Sequence, residues 1–218
     1  MTPAPVPADE ADRLNALRDL LLLDTPPEER YDRLARFVAE QLNVPIALLT
    51  LVDGQRQWFK SRVGLEATET PRDISFCGHA IMKNDLFVVE DASSDPRFAD
   101  NPLVTGEPYI RFYAGAPLSA PSGHHIGTLC VIDRQPRAIA PGQLDLLTLL
   151  AGQVMALLEL RRVAHQLLQP DRPRQRARLI RPTLTAGAGF EPVARSGEVR
   201  DAPPPGLAQS PHRLRGAA

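Results

Sequence analysis

The chain has 218 residues, with 25 basic and 26 acidic side chains intermixed, so its net charge of -1 offers no broad field to nucleic acid or to an anionic membrane. Its two cysteines cannot build a disulfide scaffold over this length. No basic N-terminal region leads into an apolar stretch of about 7 to 15 residues, and no run of about 18 apolar residues occurs. The expectation is therefore a cytoplasmic protein with no nucleic acid and no membrane among its partners.

Taken in chain order, residues 9 to 23 put Leu14, Leu17 and Leu21 on one helical stripe. Thr25-Pro26-Pro27-Glu28 then reads as a capping box with proline at the first helical position, and Tyr31, Leu34, Ala35, Val38 and Leu42 follow at helical spacing. That second helix is expected to stop near Asn43. The apolar run 46–53 is a strand, and Asp53-Gly54 turns it into a second one, QWFKSRVG. SFCGHAIMKND, beginning at Ser75, reads as a short capped helix ending near Asn84-Asp85. LFVVE is a strand. A long irregular loop, 91–108, leads to a second hairpin made of IRFYAGAPLS and IGTLCVID, with 120–124 as its turn, and one long helix closes the patterned region.

Beyond Gln169 the pattern stops. Eight of the 22 prolines lie there, among Arg, Ala and Gly, with apolar residues at neither helical nor strand spacing. Such a stretch buries too little apolar surface to offset its ordering entropy, so residues 169–218 read as a disordered Pro/Arg-rich tail following one domain over 9–168.

These elements imply an α+β fold with a central antiparallel sheet of at least five strands. Strand 46–52 is apolar on both faces, Ile46, Leu48 and Val52 one way and Ala47, Leu49 and Leu51 the other, so both faces are covered. The terminal helices take one face. The short helix and the long loop take the other, where a pocket is expected.

The strings LDTPPEERYDRLARFVAEQLNVPIALLTLVD, QWFKSRVGL, SFCGHAI, DPRFADNPLVTGEP, IRFYAGAPL and IGTLCVIDRQPR, in this order, resemble a bacterial GAF domain of the kind found with histidine kinases and diguanylate cyclases. The resemblance covers nearly all of residues 9–165. It implies a sheet of six strands, a small-molecule pocket and a role in signal reception. The residue set of cyclic-nucleotide-binding GAF domains and the Asp-Arg-His-Gly string of bilin-binding ones are both missing. Phe76-Cys77-Gly78 is similar to a Val-Cys-Gly string of the free methionine-R-sulfoxide reductases. Those enzymes use three cysteines so that a sulfenic acid is resolved as a disulfide, whereas the only other thiol here is Cys130.

Within SFCGHAI, a helix places Cys77 and His79 about 200° apart, which rules out one metal ion or one proton shared between them. No third ligand has matched spacing, and no metal site is expected. Cys77 is then either a pocket-lining thiol near a helix N-terminus, where the dipole lowers its pKa, or a small buried core residue. Trp58 either stacks on a ligand or serves as core. Arg111 either neutralises an anionic ligand or pairs with Glu90 or Asp91. Asp95 before Pro96 is read as a structural cap. With Phe76, His79, Asp91, Phe98 and Tyr113 added, these are the candidate ligand-binding residues: Trp58, Phe76, Cys77, His79, Asp91, Phe98, Arg111 and Tyr113.

Three functions stay open at this level. One is a stand-alone sensory module that binds an unidentified small molecule, performs no chemistry and acts on a histidine kinase or diguanylate cyclase in trans. Another is a methionine-R-sulfoxide reductase-like thiol enzyme using Cys77. The third is a ligand-free scaffold for dimerisation. No kinase or cyclase string follows the closing helix, so output is expected from another chain or from an effector that the reading frame has lost. Leu147, Leu150, Val154 and Leu157, within a wide apolar arc, point to a homodimer through the terminal helices.

Overall fold

The structure, a computed structural model, describes residues 1–168; the expected tail lies outside the described residues. Eleven elements follow in order: α1 (Glu10–Asp19), α2 (Glu29–Leu42), β1 (Ile46–Val52), β2 (Arg56–Val63), β3 (Glu69–Pro71), α3 (Phe76–Ala80), β4 (Phe87–Val89), α4 (Pro102–Thr105), β5 (Phe112–Ser119), β6 (His125–Asp133) and α5 (Pro141–Leu168). The strands form one antiparallel sheet in the order β3-β2-β1-β6-β5-β4. β1 and β6 are central, which explains why β1 reads as apolar on two faces.

The sheet divides the core in two, as strand alternation requires. Ala47, Leu49, Leu51, Leu129 and Val131 face α1, α2 and α5, where Leu17, Tyr31, Val38, Leu147, Val154 and Leu158 pack. Ile46, Leu48, Val52, Cys130 and Ile132 face α3 and the long loop, against Phe76, Cys77, Ile81, Phe87 and Phe98. α5 is long and apolar enough to cross a membrane by length and composition alone. Its Leu147, Ala151, Val154, Met155 and Leu158 nevertheless form a buried stripe.

Several sequence expectations are corrected. α1 ends at Asp19, and Leu21 leaves the stripe in a left-handed conformation at φ 50°, exposed, while Leu20 and Leu22 are buried instead. The capping box at Thr25 does not form. α2 starts at Glu29, and the Thr25 hydroxyl donates to the Leu22 carbonyl at 2.6 Å, while Thr25 also accepts from the buried Lys60 ammonium at 2.8 Å. The sixth strand, β3, is only three residues long and carries no apolar alternation that could announce it.

Two boundaries hold. Asn43, at φ 49°, ends α2, and the Ser75 hydroxyl caps α3 by accepting from the Gly78 N–H at 2.8 Å. Residues ahead of position 9 also belong to the packed body. Thr2 and Ala4 donate backbone hydrogen bonds to Arg97 and Asp73, and a Cβ on Gly78 would lie 2.5 Å from the Ala4 methyl. α1 is pinned by Glu10, which accepts from Arg13 at 2.7 and 2.8 Å and from Arg72 at 2.5 Å.

Candidate functional site

On the α3 face of the sheet lies a cavity of about 510 Å³, within the size range of small-molecule sites. Phe59, Phe76, Leu48 and Ile132 supply an apolar wall, Cys77 and Tyr113 the inner end, and Glu107 and Arg134 charge. The segment after β2 closes one side with Gly64, Leu65, Glu66 and Ala67, and the C-terminal part of the long loop closes another with Leu103, Pro108 and Ile110. The long loop was expected at the rim. The turn after β2 was not, since its GLEATET string has neither helical nor strand periodicity.

Two polar residues of the lining stand out. Gln57 and Thr70 sit opposite one another on β2 and β3. Gln57 Oε1 and Thr70 Oγ1 are both buried, and neither has a hydrogen-bond partner. A buried polar atom without a partner costs about 1–3 kcal/mol, so two on one wall form a standing demand for a complementary group.

The inner end is built around Cys77 Sγ. Thr128 Oγ1 donates to it at 3.0 Å and the Tyr113 hydroxyl at 3.2 Å, and Cys130 Sγ lies 3.7 Å away. Thr128 is itself backed by Thr50 Oγ1 at 3.1 Å, its direct cross-strand neighbour in the β1–β6 ladder. Full burial pushes the Cys77 thiol up, but the hydrogen bonds from Cys130, Thr128 and Tyr113 outweigh burial and hold it below the ordinary thiol value. Burial and the neighbouring sulfur push Cys130 the other way, well above that value. Gly115 makes the arrangement possible. A Cβ there would lie 2.2 Å from the Tyr113 hydroxyl, so only glycine leaves that oxygen room beside the sulfur.

Of the eight candidate residues, Phe76, Cys77 and Tyr113 line this cavity. Phe98 stands behind them, fully buried and stacked on Phe76 at 4.0 Å between ring centroids. His79 is 9% exposed, because the N-terminal segment covers it and its Nε2 meets the Thr2 carbonyl at 3.2 Å. Burial, with Arg97 nearby, lowers its pKa. Asp91 holds its own loop, accepting from the Ser93 N–H and hydroxyl. Arg111 makes neither ion pair expected of it; its Nη1 donates to the Val104 and Ile110 carbonyls. Trp58 points to the other sheet face and lines a separate open depression of about 760 Å³ beside β2, with Asp32, Arg36 and Lys60. Gln57, Thr70, Glu107 and Arg134 were not anticipated. No residue spacing announces them, because β3 and the loop reach the cavity only through the fold.

The GAF domain model matches residues 26–158. The chain belongs to the GAF domain family. A cyclic di-GMP phosphodiesterase of Pseudomonas aeruginosa is 42% identical over 180 residues, which is 82% of this chain and 31% of that protein. The chain thus spans about a third of the length of this relative. Among solved structures, the free methionine-R-sulfoxide reductase of Neisseria meningitidis, in complex with its substrate, matches with a TM-score of 0.54 at 21% identity, over 75% of this chain and 99% of that one. The GAF domain of an Acinetobacter phosphoenolpyruvate-protein phosphotransferase matches with a TM-score of 0.52 at 18% identity, over 71% and 98%. At these identities the structural likenesses show the fold: the six-stranded antiparallel sheet with helices that the resemblance implied. The relative from Pseudomonas is an enzyme, and this overturns the expectation of a module standing apart from enzyme chemistry.

Proposed function

We propose that this GAF domain is the sensory module of a cyclic di-GMP phosphodiesterase, and that a small molecule held in the α3-face cavity sets the rate of cyclic di-GMP hydrolysis. Similarity to the Pseudomonas enzyme supports the setting. The single observation that carries the ligand is the pair of orphaned atoms, Gln57 Oε1 and Thr70 Oγ1, on the wall of a largely apolar cavity. The ligand that fits has an apolar or planar body for the Phe59–Phe76 wall and a hydrogen-bond donor for Gln57 and Thr70. A polar end reaches Glu107 and Arg134.

Native mass spectrometry of the purified full chain and of Gln57→Leu, run beside a hydrolysis assay with cyclic di-GMP, tests both halves. A small molecule retained by the wild type and lost from the variant supports the pocket. Hydrolysis by the full chain that changes when that molecule is removed supports the setting. A folded wild type that carries and takes up nothing from a metabolite extract removes the ligand half.

A second copy of the chain is the partner that α5 favours. Leu149, Ala156, Leu160, Val163 and Leu167 are all exposed and recur at heptad-like spacing. They lie on the side of the helix about 180° from the stripe buried against the sheet. Leu147 and Val154, named above for the dimer seam, are taken up by the core, so the seam proposed is this outer stripe.

A further inference from the structure

We propose that Cys77 and Cys130 form a dithiol that a hydroperoxide entering the cavity oxidises to a disulfide, giving the domain a redox-controlled site at the inner end of its pocket. The two cysteines are 53 positions apart in sequence, one on α3 and one on β6, and the fold sets their sulfurs 3.7 Å from each other. Ordinary core cysteines sit among hydrocarbon. Cys77 instead receives two hydroxyl donors at 3.0 and 3.2 Å in an otherwise apolar layer. Donors converging on one sulfur favour the thiolate, the form that attacks peroxides. Cys77, 1% exposed, lines the cavity, whereas Cys130 lies behind it and does not, so the pocket is the route by which a hydroperoxide is proposed to approach Cys77 first. The attacking and resolving roles are therefore already distinguished by position.

The steps balance. The Cys77 thiolate attacks the terminal oxygen of ROOH. The O–O bond breaks, its electron pair leaves with RO, which takes up a proton as ROH, and Cys77 becomes a sulfenic acid, oxidised by two electrons. Loss of the negative charge removes the coulombic part of what holds Cys130 protonated. Cys130 Sγ then attacks Cys77 Sγ. The S–O bond breaks, and the departing hydroxide combines with the Cys130 proton as water. A dithiol reductant returns both thiols. The disulfide replaces the acceptor that Tyr113 and Thr128 share and ties α3 to a central strand. Oxidation therefore changes the cavity's inner end whether or not the cavity holds a ligand.

Intact mass and peptide mapping of the full chain, treated with excess hydrogen peroxide and then with a thiol-blocking reagent, test the dithiol directly. The expected product has lost two hydrogens, contains the Cys77–Cys130 cross-link within one chain, has no blockable thiol and is restored by dithiothreitol. Cys130→Ser should take up one dimedone, at Cys77, because its sulfenic acid has no resolving partner. Cys77→Ser should keep Cys130 reduced under the same exposure. Both thiols surviving in the wild type overturns the proposal. So does a cross-link between chains, or sulfonic acid at Cys77 without a disulfide. The wild-type mass alone separates these outcomes if a variant does not fold.

Discussion

Thr70→Val separates a wall shaped for a ligand from a wall shaped for stability. Thr70 Oγ1 is buried beside the cavity with no hydrogen-bond partner, and its position on β3 faces Gln57 across the edge of the sheet. An unsatisfied hydroxyl costs about 1–3 kcal/mol. Thr70 itself is half-buried at a sheet edge, so the low end applies, and valine fills the same shape with a methyl suited to a strand. The ligand-free variant should gain about 1 kcal/mol, or about 2–4 °C in Tm for a chain of this size. The same change removes one hydrogen bond to a bound ligand. That bond is worth about 0.5–1.5 kcal/mol, so retention should weaken about 2- to 12-fold. Calorimetry on protein unfolded and refolded to strip small molecules gives the first number, and native mass spectrometry on co-purified material gives the second. A lower Tm together with unchanged retention refutes the reasoning, because it means that the hydroxyl already serves the fold.

Three further outcomes follow from other parts of the structure. Burial alone pushes the Glu10 carboxyl up, but hydrogen bonds from Arg13 and Arg72 outweigh it and lower its pKa from 4.5 to about 2. Its contribution to stability is thus complete above pH 4.5 and lost as pH falls toward 2; urea midpoints across that range should fall less steeply in Glu10→Gln than in the wild type. Gly115→Ala should destabilise the domain by about 1–3 kcal/mol, since the new methyl overlaps the Tyr113 ring; equal urea midpoints for the two proteins would show that Tyr113 moves without cost. Leu160→Glu, at a position 65% exposed, should leave Tm within a few degrees yet convert a dimer to a monomer by light scattering at tens of micromolar; a wild type that is already monomeric rejects the outer seam.

How far the sequence spoke depends on how local each signal is. β1, β2, β5, β6 and the long helices rest on runs of seven or more residues that carry strand formers or helical spacing locally, and Ser75 caps α3 through a bond spanning three residues. β3 rests on pairing with β2 and has no pattern of its own. The capping box at Thr25 failed because a buried lysine from β2 claimed the hydroxyl, a competitor that no window of local sequence contains. His79 was read as a ligand-binding candidate from the short helix alone; what covers it is an N-terminal segment 77 residues away, which no local window contains. At the site, Phe76, Cys77 and Tyr113 were legible as aromatic and thiol residues on elements facing one layer. Gln57 and Thr70 were not, because what distinguishes them is a missing partner.

Strand alternation also connects the two halves of the molecule. On β6, Thr128, Cys130 and Ile132 face the cavity side, while Leu129 and Val131 face α5 and the other helices. On β1, Thr50 supports the sulfur site through Thr128, and its neighbours Leu49 and Leu51 pack in the helical core. A strand backbone cannot move for one face only, since successive side chains are fixed to opposite sides of the same pleat. Drawing Cys130 toward Cys77, or filling the space beside Leu48 and Ile132, must therefore be absorbed in the layer where Leu147, Val154 and Leu158 of α5 are buried, and a close-packed interior has little slack to take it up. The outer stripe of α5 is rigidly joined to that inner one through the helix. A shift of the sheet would thereby be delivered to the surface at which a second copy is proposed to dock, and the same displacement would serve both the proposed ligand signal and the proposed redox signal.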